Sequence, residues 1–552
     1  MIFYIVLSCL FVLISPRLSL ICSIINVSIY MSLEQGYYSI PWIHEDFLKT
    51  SLSFVVDHLS LKMAIMAEII GLCIKLYSFY YFKNNHFFLK VVHFFLFGMI
   101  GLVFSDHFLH MFFSWELMGF CSYLLIGYYG EKQEAGEFSF KAFILNKQGD
   151  IFFLLAIALI FFYLEDFSIK NFLDNLSFFE TKLLKIGSLK DFLALFLGIA
   201  ALAKSAQFVF FIWLPDAMVG PSPGSALIHA ATMVTGGVFL LLRIYPLFVD
   251  YQQLILILGI ITGVISSFLA LFQEKIKAIL AYSTISQLSI MFIAVGLDLP
   301  EIALLHLIVH GFFKSCLFLT AGILIHETHK ESLSELKGIG RYFPFTGSIF
   351  TLGLLGLIGF PGFGSFFSKE IILAEIYKTN FFYFFLFMIF CTNIYSFKII
   401  YYLWKKAINT TERESFSYIK RFALVPLIVF SFGFWVKKIF SIQEVDHVFL
   451  YISIGLMILS IVFIFIPFLF KEYIFIKNKL YIDQMKYIIP IKLLLLFSKI
   501  FGFLEAFFEY IFIIPEKIFL GIESTVFFVK GKNFYNPLYF IMIIIFCLYW
   551  FI

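Results

Sequence analysis

The chain has 552 residues, 61% hydrophobic and 14% charged, with a formal net charge of +4 and a mean hydropathy of +0.96. A soluble chain carries about 25% charged residues, so this balance excludes a soluble globular protein, and so small and scattered a positive charge gives no reason to expect nucleic acid as a partner. Seven cysteines, Cys9, Cys22, Cys73, Cys121, Cys316, Cys391 and Cys547, show neither CxxC nor paired spacing and read as small buried hydrophobes, not as iron–sulfur or zinc ligands.

In chain order, residues 2–32 are apolar but interrupted at Pro16 and Arg17, so they predict one long or two short helices. A cleaved leader is not expected, because residues 1–10 offer neither a basic start nor a small-residue cut site. A polar loop follows to about Ser51, then apolar runs near 60–81, 88–105, 108–128, 141–163, 191–214, 222–246, 253–272, 277–297 and 301–326. After a polar loop at 327–343 come 344–366, 381–404, 421–440 and 450–470. A spanning helix needs about 20 apolar residues, so this is an all-α polytopic membrane protein with about 14–16 spans. From about Tyr481 to Lys532 apolar residues continue, but ten charges from Asp483 to Lys530 recur through them. At 1.5 Å per residue that is a helix of about 75–80 Å, too long and too charged to span. It predicts an amphipathic helix lying along the membrane or along partner chains, bent at Pro490 and Pro515, with two short helices and a loop as the alternative. Residues 536–552 make a last anchor. The 79 Phe against 33 Gly suggest an AT-rich organellar genome, since membrane helices accept Phe in place of Leu.

The ionisable residues inside these spans carry the functional signal. Glu116, Asp150 and Lys204 fall near the middles of 108–128, 141–163 and 191–214; Lys314 falls near the middle of 301–326, with His306 and His310 before it. A Lys at a helix centre costs about 2.5–3.5 kcal/mol to insert and marks a functional site by default. A Pro- and Gly-bearing break at 215–224 separates Lys204 from His229, and a second, at 359–365 in GFPGFGSFFSKE, precedes Lys369 and Glu370. Broken helices at membrane depth require protein or water to take up the freed backbone groups. The charged residues could merely pair and glue helices. Against that, the set is mostly lysine and histidine with few acids, and desolvation of a buried amine brings reversible protonation within reach. A proton relay is the better reading. His306 and His310, spaced i,i+4, share a face, but no third metal ligand is evident; a satisfied core pair is the other alternative. IHETH at 325–329 is not HExxH, and neither KSAQ nor GFPGFG follows a strand as a phosphate loop would. Lys147 and Asp150, three apart, look like an ion pair. A lysine before one break and after the other is what two halves of inverted topology would show.

FSWELMGFCSYLLIGYY (113–129), FILNKQGD (143–150), the stretch 202–241, LAYSTISQLSIM (280–291), HLIVHGFFKSCLFLTAGILIH (306–326), SELKGIGRYFP (334–344) and GFPGFGSFFSKEIIL (359–373) resemble the antiporter-like, proton-translocating subunits of respiratory complex I, and among them the chain 5 branch. The resemblance is dense over residues 50–375 and architectural beyond; the long C-terminal helix with its anchor is what separates this branch from its sister chains 2 and 4. It implies N-terminal helices at 1–87, a core of two inverted antiporter-like repeats at 88–404, further membrane helices at 405–480, a lateral amphipathic helix at 481–535 and an anchor at 536–552. It also implies roles: Glu116 paired with Lys204, Asp150 with a basic partner in Lys147, His229 as a linking histidine, His310 and Lys314 on a central axis, and Lys369 at the exit. The chain itself would hold no cofactor, with FMN, iron–sulfur clusters and ubiquinone in partner subunits. Its partners would be the other membrane-arm subunits, chains 2 and 4 included, and membrane lipids. The location implied is the mitochondrial inner membrane, or a bacterial plasma membrane. A subunit of a multi-subunit Na⁺/H⁺ antiporter, which shares these helices, is the competing function. The segment before FVVDHLSL is shorter than the family's usual two helices.

Overall fold

Helix α1 (Leu18–Ser32) runs into an antiparallel hairpin, β1 (Gly36–Glu45) and β2 (Leu48–Val56), in the computed structural model. Hydropathy predicts only a polar loop there. The strand signal lies in the β-branched and aromatic residues of both arms, and Pro41 sits at the register shift, where proline is tolerated. The structure describes residues 18–464 apart from 46–47, 83–85, 181, 184–186, 231, 407–412, 416 and 441–446. The lateral helix expected at 481–535 and the anchor at 536–552 therefore lie outside the described residues.

The remaining described residues form a membrane-type helical bundle. Helices α2 (His58–Phe82), α3 (His86–Phe104), α4 (Phe108–Ile126) and α5 (Gln133–Leu164) cross in alternation, and α6 (Leu189–Lys204) stops short. Two consecutive segments, α7 (Ser222–Ala230) and α8 (Met233–Arg243), make the next crossing. Then follow α9 (Gln252–Leu271), α10 (Ile276–Gly296), α11 (Pro300–Thr328), the pair α12 (Pro344–Ile358) and α13 (Gly364–Ile376), then α14 (Phe382–Trp404), α15 (Tyr418–Ser431) and α16 (His447–Phe463). Among the described residues, eight segments are long and apolar enough to cross a membrane, judged by length and composition. Ties to the hairpin mark one face of the bundle. The Asp106 amide donates to the Ser53 carbonyl at 3.0 Å, and Arg243 pairs with Asp57 at 2.5 Å. The helix ends at Phe82, His86, Ile126, Gln133, Leu271, Ile276, Thr328, Pro344, Trp404 and Tyr418 lie on the opposite face, as the alternation of crossings requires.

Helices α10 and α11 form the axis: all but a few of their residues are buried. Outer helices turn large apolar side chains outward, among them Phe162 (74% exposed), Tyr383 (78%) and Val462 (60%). In water such a surface would be costly; in a membrane it meets lipid or neighbouring chains.

The first break does not fall where proline and glycine suggest. Helix α6 ends at Lys204, well before Pro215, and the chain unwinds over 205–212, which contains neither Pro nor Gly. Ala206 takes a left-handed conformation (φ 50°), the Gln207 amide reaches back to the Leu202 carbonyl at 2.9 Å, and Val209 also has positive φ (74°). That is a Schellman-type stop. Partners from elsewhere take up the freed groups: Ser205 Oγ donates to the Val234 carbonyl (2.8 Å), the Phe208 amide to Thr262 Oγ1 (3.0 Å), and Trp213 Nε1 to the Ala203 carbonyl (3.2 Å). The information that breaks this helix is tertiary, which is why Lys204 looks mid-helix in the sequence and is terminal in the fold. The second break follows sequence more closely: α12 ends at Gly359, whose φ of 86° suits glycine, and the chain re-enters helix at Gly364.

Candidate proton-relay site

Four charged side chains alternate across the α4–α5–α6 contact. Glu116 on α4 pairs with Lys147 on α5; Lys147 also lies 3.5 Å from Asp150 Oδ2. Asp150 Oδ1 lies 3.8 Å from Lys204 Nζ and accepts the Trp115 indole N–H at 2.6 Å. Lys204 Nζ donates to the Trp115 carbonyl at 3.3 Å and stands 4.6 Å above the Trp115 ring. This corrects the expected Glu116–Lys204 pair: Glu116 holds Lys147, and the carboxylate facing Lys204 is Asp150. The expected Lys147–Asp150 pair is present. Close approach of α5 and α6 sets this geometry, because a Cβ on Gly149 would lie 2.4 Å from the Ala203 Cβ. Lys204 and Asp150 are both buried, whereas Lys147 is about a third exposed.

Along the axis, Lys314 Nζ on α11 donates to Ser283 Oγ (2.5 Å) and to the Leu280 carbonyl (3.2 Å), both on α10. His229, on α7, lies with its ring 5.0 Å from that of Phe318, one turn beyond Lys314. His310 and His306 precede Lys314 by one and two turns, and all three are fully buried. His306 Nδ1 hydrogen-bonds Ser368 Oγ at 2.8 Å, which joins α11 to α13 one residue before Lys369. Lys369 Nζ donates to the Leu357 (2.5 Å) and Ile358 (3.1 Å) carbonyls, the open C-terminus of α12. A cation there is favoured by the helix dipole. Lys204 likewise sits in the last turn of its half-helix, so each break places an ammonium at the C-terminal end of a half-helix.

Several buried polar atoms on this axis have no hydrogen-bond partner among the described residues: both ring nitrogens of His229, His306 Nε2, the Gln287 amide group, the Asn393 amide group and Glu370 Oε2. Each such group costs about 1–3 kcal/mol when left dry, which favours water beside them. With water between them, amines, imidazoles and hydroxyls can pass protons. Among the described residues no group of three or more His, Cys, Asp or Glu could hold a metal ion.

Sequence reasoning missed the buried lysines Lys75 and Lys398 and the half-buried Lys277. Lys75 meets Ser23 Oγ (2.6 Å) and His93 Nδ1 (3.2 Å), with Glu68 at 3.9 Å; Lys277 donates to the Gly220 carbonyl (3.0 Å); Lys398 donates to the Leu271 carbonyl (3.0 Å). All three lie in or beside apolar runs, so listing every ionisable residue there would have found them.

Half-helices flanked by buried lysines on a common axis define an antiporter-like membrane subunit. Two family models match the chain: "NADH:quinone oxidoreductase/Mrp antiporter, TM" over residues 105–395, just over half of the chain, and "NADH-Ubiquinone oxidoreductase (complex I), chain 5 N-terminus" over 42–89. The chain is 39% identical over 372 residues to NADH-quinone oxidoreductase subunit L of Rickettsia typhi, covering 65% of this chain and 57% of that protein. It is 35% identical over 445 residues to NADH-ubiquinone oxidoreductase chain 5 of Podospora anserina, covering 75% and 67%. The Mrp complex from Dietzia sp. DQ12-45-1b contains a chain of the same fold, with a TM-score of 0.76, 24% identity and coverage of 89% of this chain and 59% of that one. The chain thus spans under two thirds of the length of the Rickettsia relatives it matches. It belongs to the NADH:quinone oxidoreductase/Mrp antiporter transmembrane family and is a multi-pass membrane protein.

Proposed function

We propose that this chain is a proton-translocating membrane subunit of an NADH:quinone oxidoreductase, respiratory complex I. The observation that carries this reading is two sets of protonatable side chains, one at each helix break: Glu116, Lys147, Asp150 and Lys204 at the first, and Lys314, His310, His306 and Lys369 toward the second. Asp150 holds a proton on Lys204. When Lys147 shifts between Glu116 and Asp150, the field at Lys204 changes, and each pKa unit of change corresponds to about 1.36 kcal/mol. A released proton then moves along the wet axis by way of His229, Lys314 and His310 toward Lys369. Redox chemistry, with NADH, FMN, iron–sulfur clusters and ubiquinone, belongs to partner subunits, and the chain's own neighbours are other membrane-arm subunits and lipid.

Chain 5 and subunit L relatives at 35–39% identity favour complex I over a Na⁺/H⁺ antiporter subunit, for which the likeness to the Mrp chain supports only a shared fold. The Phe-rich composition supports the mitochondrial inner membrane; the relatives include both an organellar chain 5 and bacterial subunits. Affinity purification from native membranes tests the reading. Flavin and iron–sulfur absorbance with NADH:quinone activity is expected in the isolated complex. A flavin-free assembly of small membrane subunits showing Na⁺-dependent proton exchange overturns it.

A further inference from the structure

On the face opposite the hairpin, the start of α12 with the turn before it, the segment at 413–415 and the start of α15 line a pocket of about 520 Å³. Its lining includes Arg341, Arg413, Lys420 and Arg421, with Glu414 as the acid among them. Glu414 is already committed. Its carboxylate accepts the Phe345 (2.9 Å) and Thr346 (3.1 Å) amides and the Thr346 hydroxyl (2.5 Å), capping α12. Lys420 is committed too, to Glu327 at 3.0 Å. Arg341 and Arg413 are exposed and form no ion pair with a carboxylate among the described residues. Arg421 is exposed beside them, its guanidinium 5.0 Å from the Phe345 ring.

We infer that this pocket holds the phosphate head group of an anionic phospholipid. Guanidinium forks match phosphate oxygens in geometry, and the volume is that of a ligand site. The pocket lies at helix ends, with Tyr342 in its lining and Trp404 and Tyr418 at the ends of α14 and α15, side chains of the kind that collect at the head-group boundary. What selects a lipid over free phosphate is the surface below it. Tyr418, Phe422, Val425 and Val429 recur at helical spacing on one exposed stripe of α15 (68%, 68%, 41% and 40% exposed), running from the pocket toward mid-membrane. One acyl chain can lie along that stripe while its phosphate sits among the arginines. Basic pockets between membrane helices take anionic head groups by this logic.

The test uses the assembled complex in vesicles doped with a diacyl phosphatidylglycerol or a phosphatidylcholine, each carrying a photoactivatable group on one acyl chain. Peptides covering 418–429 should be labelled by the anionic probe about tenfold more than by the zwitterionic one. Arg341→Ala with Arg421→Ala should lower that labelling about tenfold, and Arg413→Ala alone, at an exposed side chain, severalfold. NADH oxidation by the same vesicles reports that each variant complex is assembled. Equal labelling by both probes, labelling unchanged in Arg413→Ala and the double variant, or loss of labelling on adding millimolar inorganic phosphate overturns the inference, the last by assigning the pocket to free phosphate. Failure of the proton-relay reading would leave these labelling results untouched.

Discussion

The carboxylate of Asp150 stands 3.8 Å from the ammonium of Lys204, at the point where α6 ends. Lys147 sits between this pair and Glu116, close enough to serve either carboxylate. The four charges therefore form one chain, in which Glu116 is linked to Lys204 through Lys147 and Asp150. Neutralising Glu116 frees Lys147 for Asp150 and weakens the hold of Asp150 on Lys204.

Glu116→Gln should thus reduce proton pumping about tenfold, the effect of one pKa unit at Lys204, in a complex that still assembles. The double variant Glu116→Gln with Lys147→Met should pump better than Glu116→Gln alone, because the competing cation is gone. Dye-quenching assays on vesicles measure both. A double variant as poor as the single one would show that Glu116 acts on Lys204 by some other route.

Lys204→Arg keeps a positive charge beside Asp150 and should support assembly, yet it should stop pumping, since guanidinium does not release its proton at accessible pH. Lys204→Ala leaves Asp150 buried with only Trp115 and the partly exposed Lys147, and should lower assembly as well; breaking a buried pair costs about 3–5 kcal/mol. The two effects are separated by native gels for assembly and proton uptake for pumping. Normal pumping by the Arg variant would mean that position 204 needs fixed charge alone, and the relay reading would fall.

Most of the buried charges were legible in the sequence, although Lys75 and Lys398 went unread; of the contacts between charges, only the Lys147–Asp150 pair on one helix was. Apolar run lengths placed the helices, and an ionisable residue inside such a run named Glu116, Asp150, Lys204, Lys314 and Lys369. Pairing depends on helix rotation and on the depth at which a helix stops, and neither has a local signature here. The stop after Lys204 depends on Thr262, Val234 and Trp213, distant in sequence or beyond the break. At the second break the local cue sufficed, because Gly359 carries the left-handed turn itself. The hairpin at 36–56 was hidden by its polarity, although its β-branched and aromatic residues were in view.

Gly359 tests whether the second break positions Lys369. Its φ of 86° disfavours any side chain, and an added Cβ would lie 3.0 Å from Lys369 Cδ. Gly359→Ala should cost about 1–2 kcal/mol from backbone strain and displace the ammonium from the Leu357 and Ile358 carbonyls. Pumping should fall more than assembly does. Equal losses of pumping and thermal stability would assign Gly359 a packing role only.

The Lys75 cluster offers the contrary case, a buried lysine outside the relay. On α2, Met66, Ile70 and Tyr77 face the α11 glycines, whereas Lys75 turns away to Ser19 and Ser23 of α1 and His93 of α3. No step of the proposed path passes that side, so the cluster should act as a structural clasp for the N-terminal helices. Lys75→Met leaves Glu68 buried without its cation and should destabilise the chain by about 3–5 kcal/mol, while Lys75→Met with Glu68→Leu should recover most of that loss. Protons pumped per NADH should be unchanged in whatever complex survives either substitution. Thermal denaturation of the purified complex and proton stoichiometry in vesicles supply the two readouts. If stoichiometry drops while stability holds, Lys75 carries protons, and the relay extends beyond the central axis into the N-terminal helices.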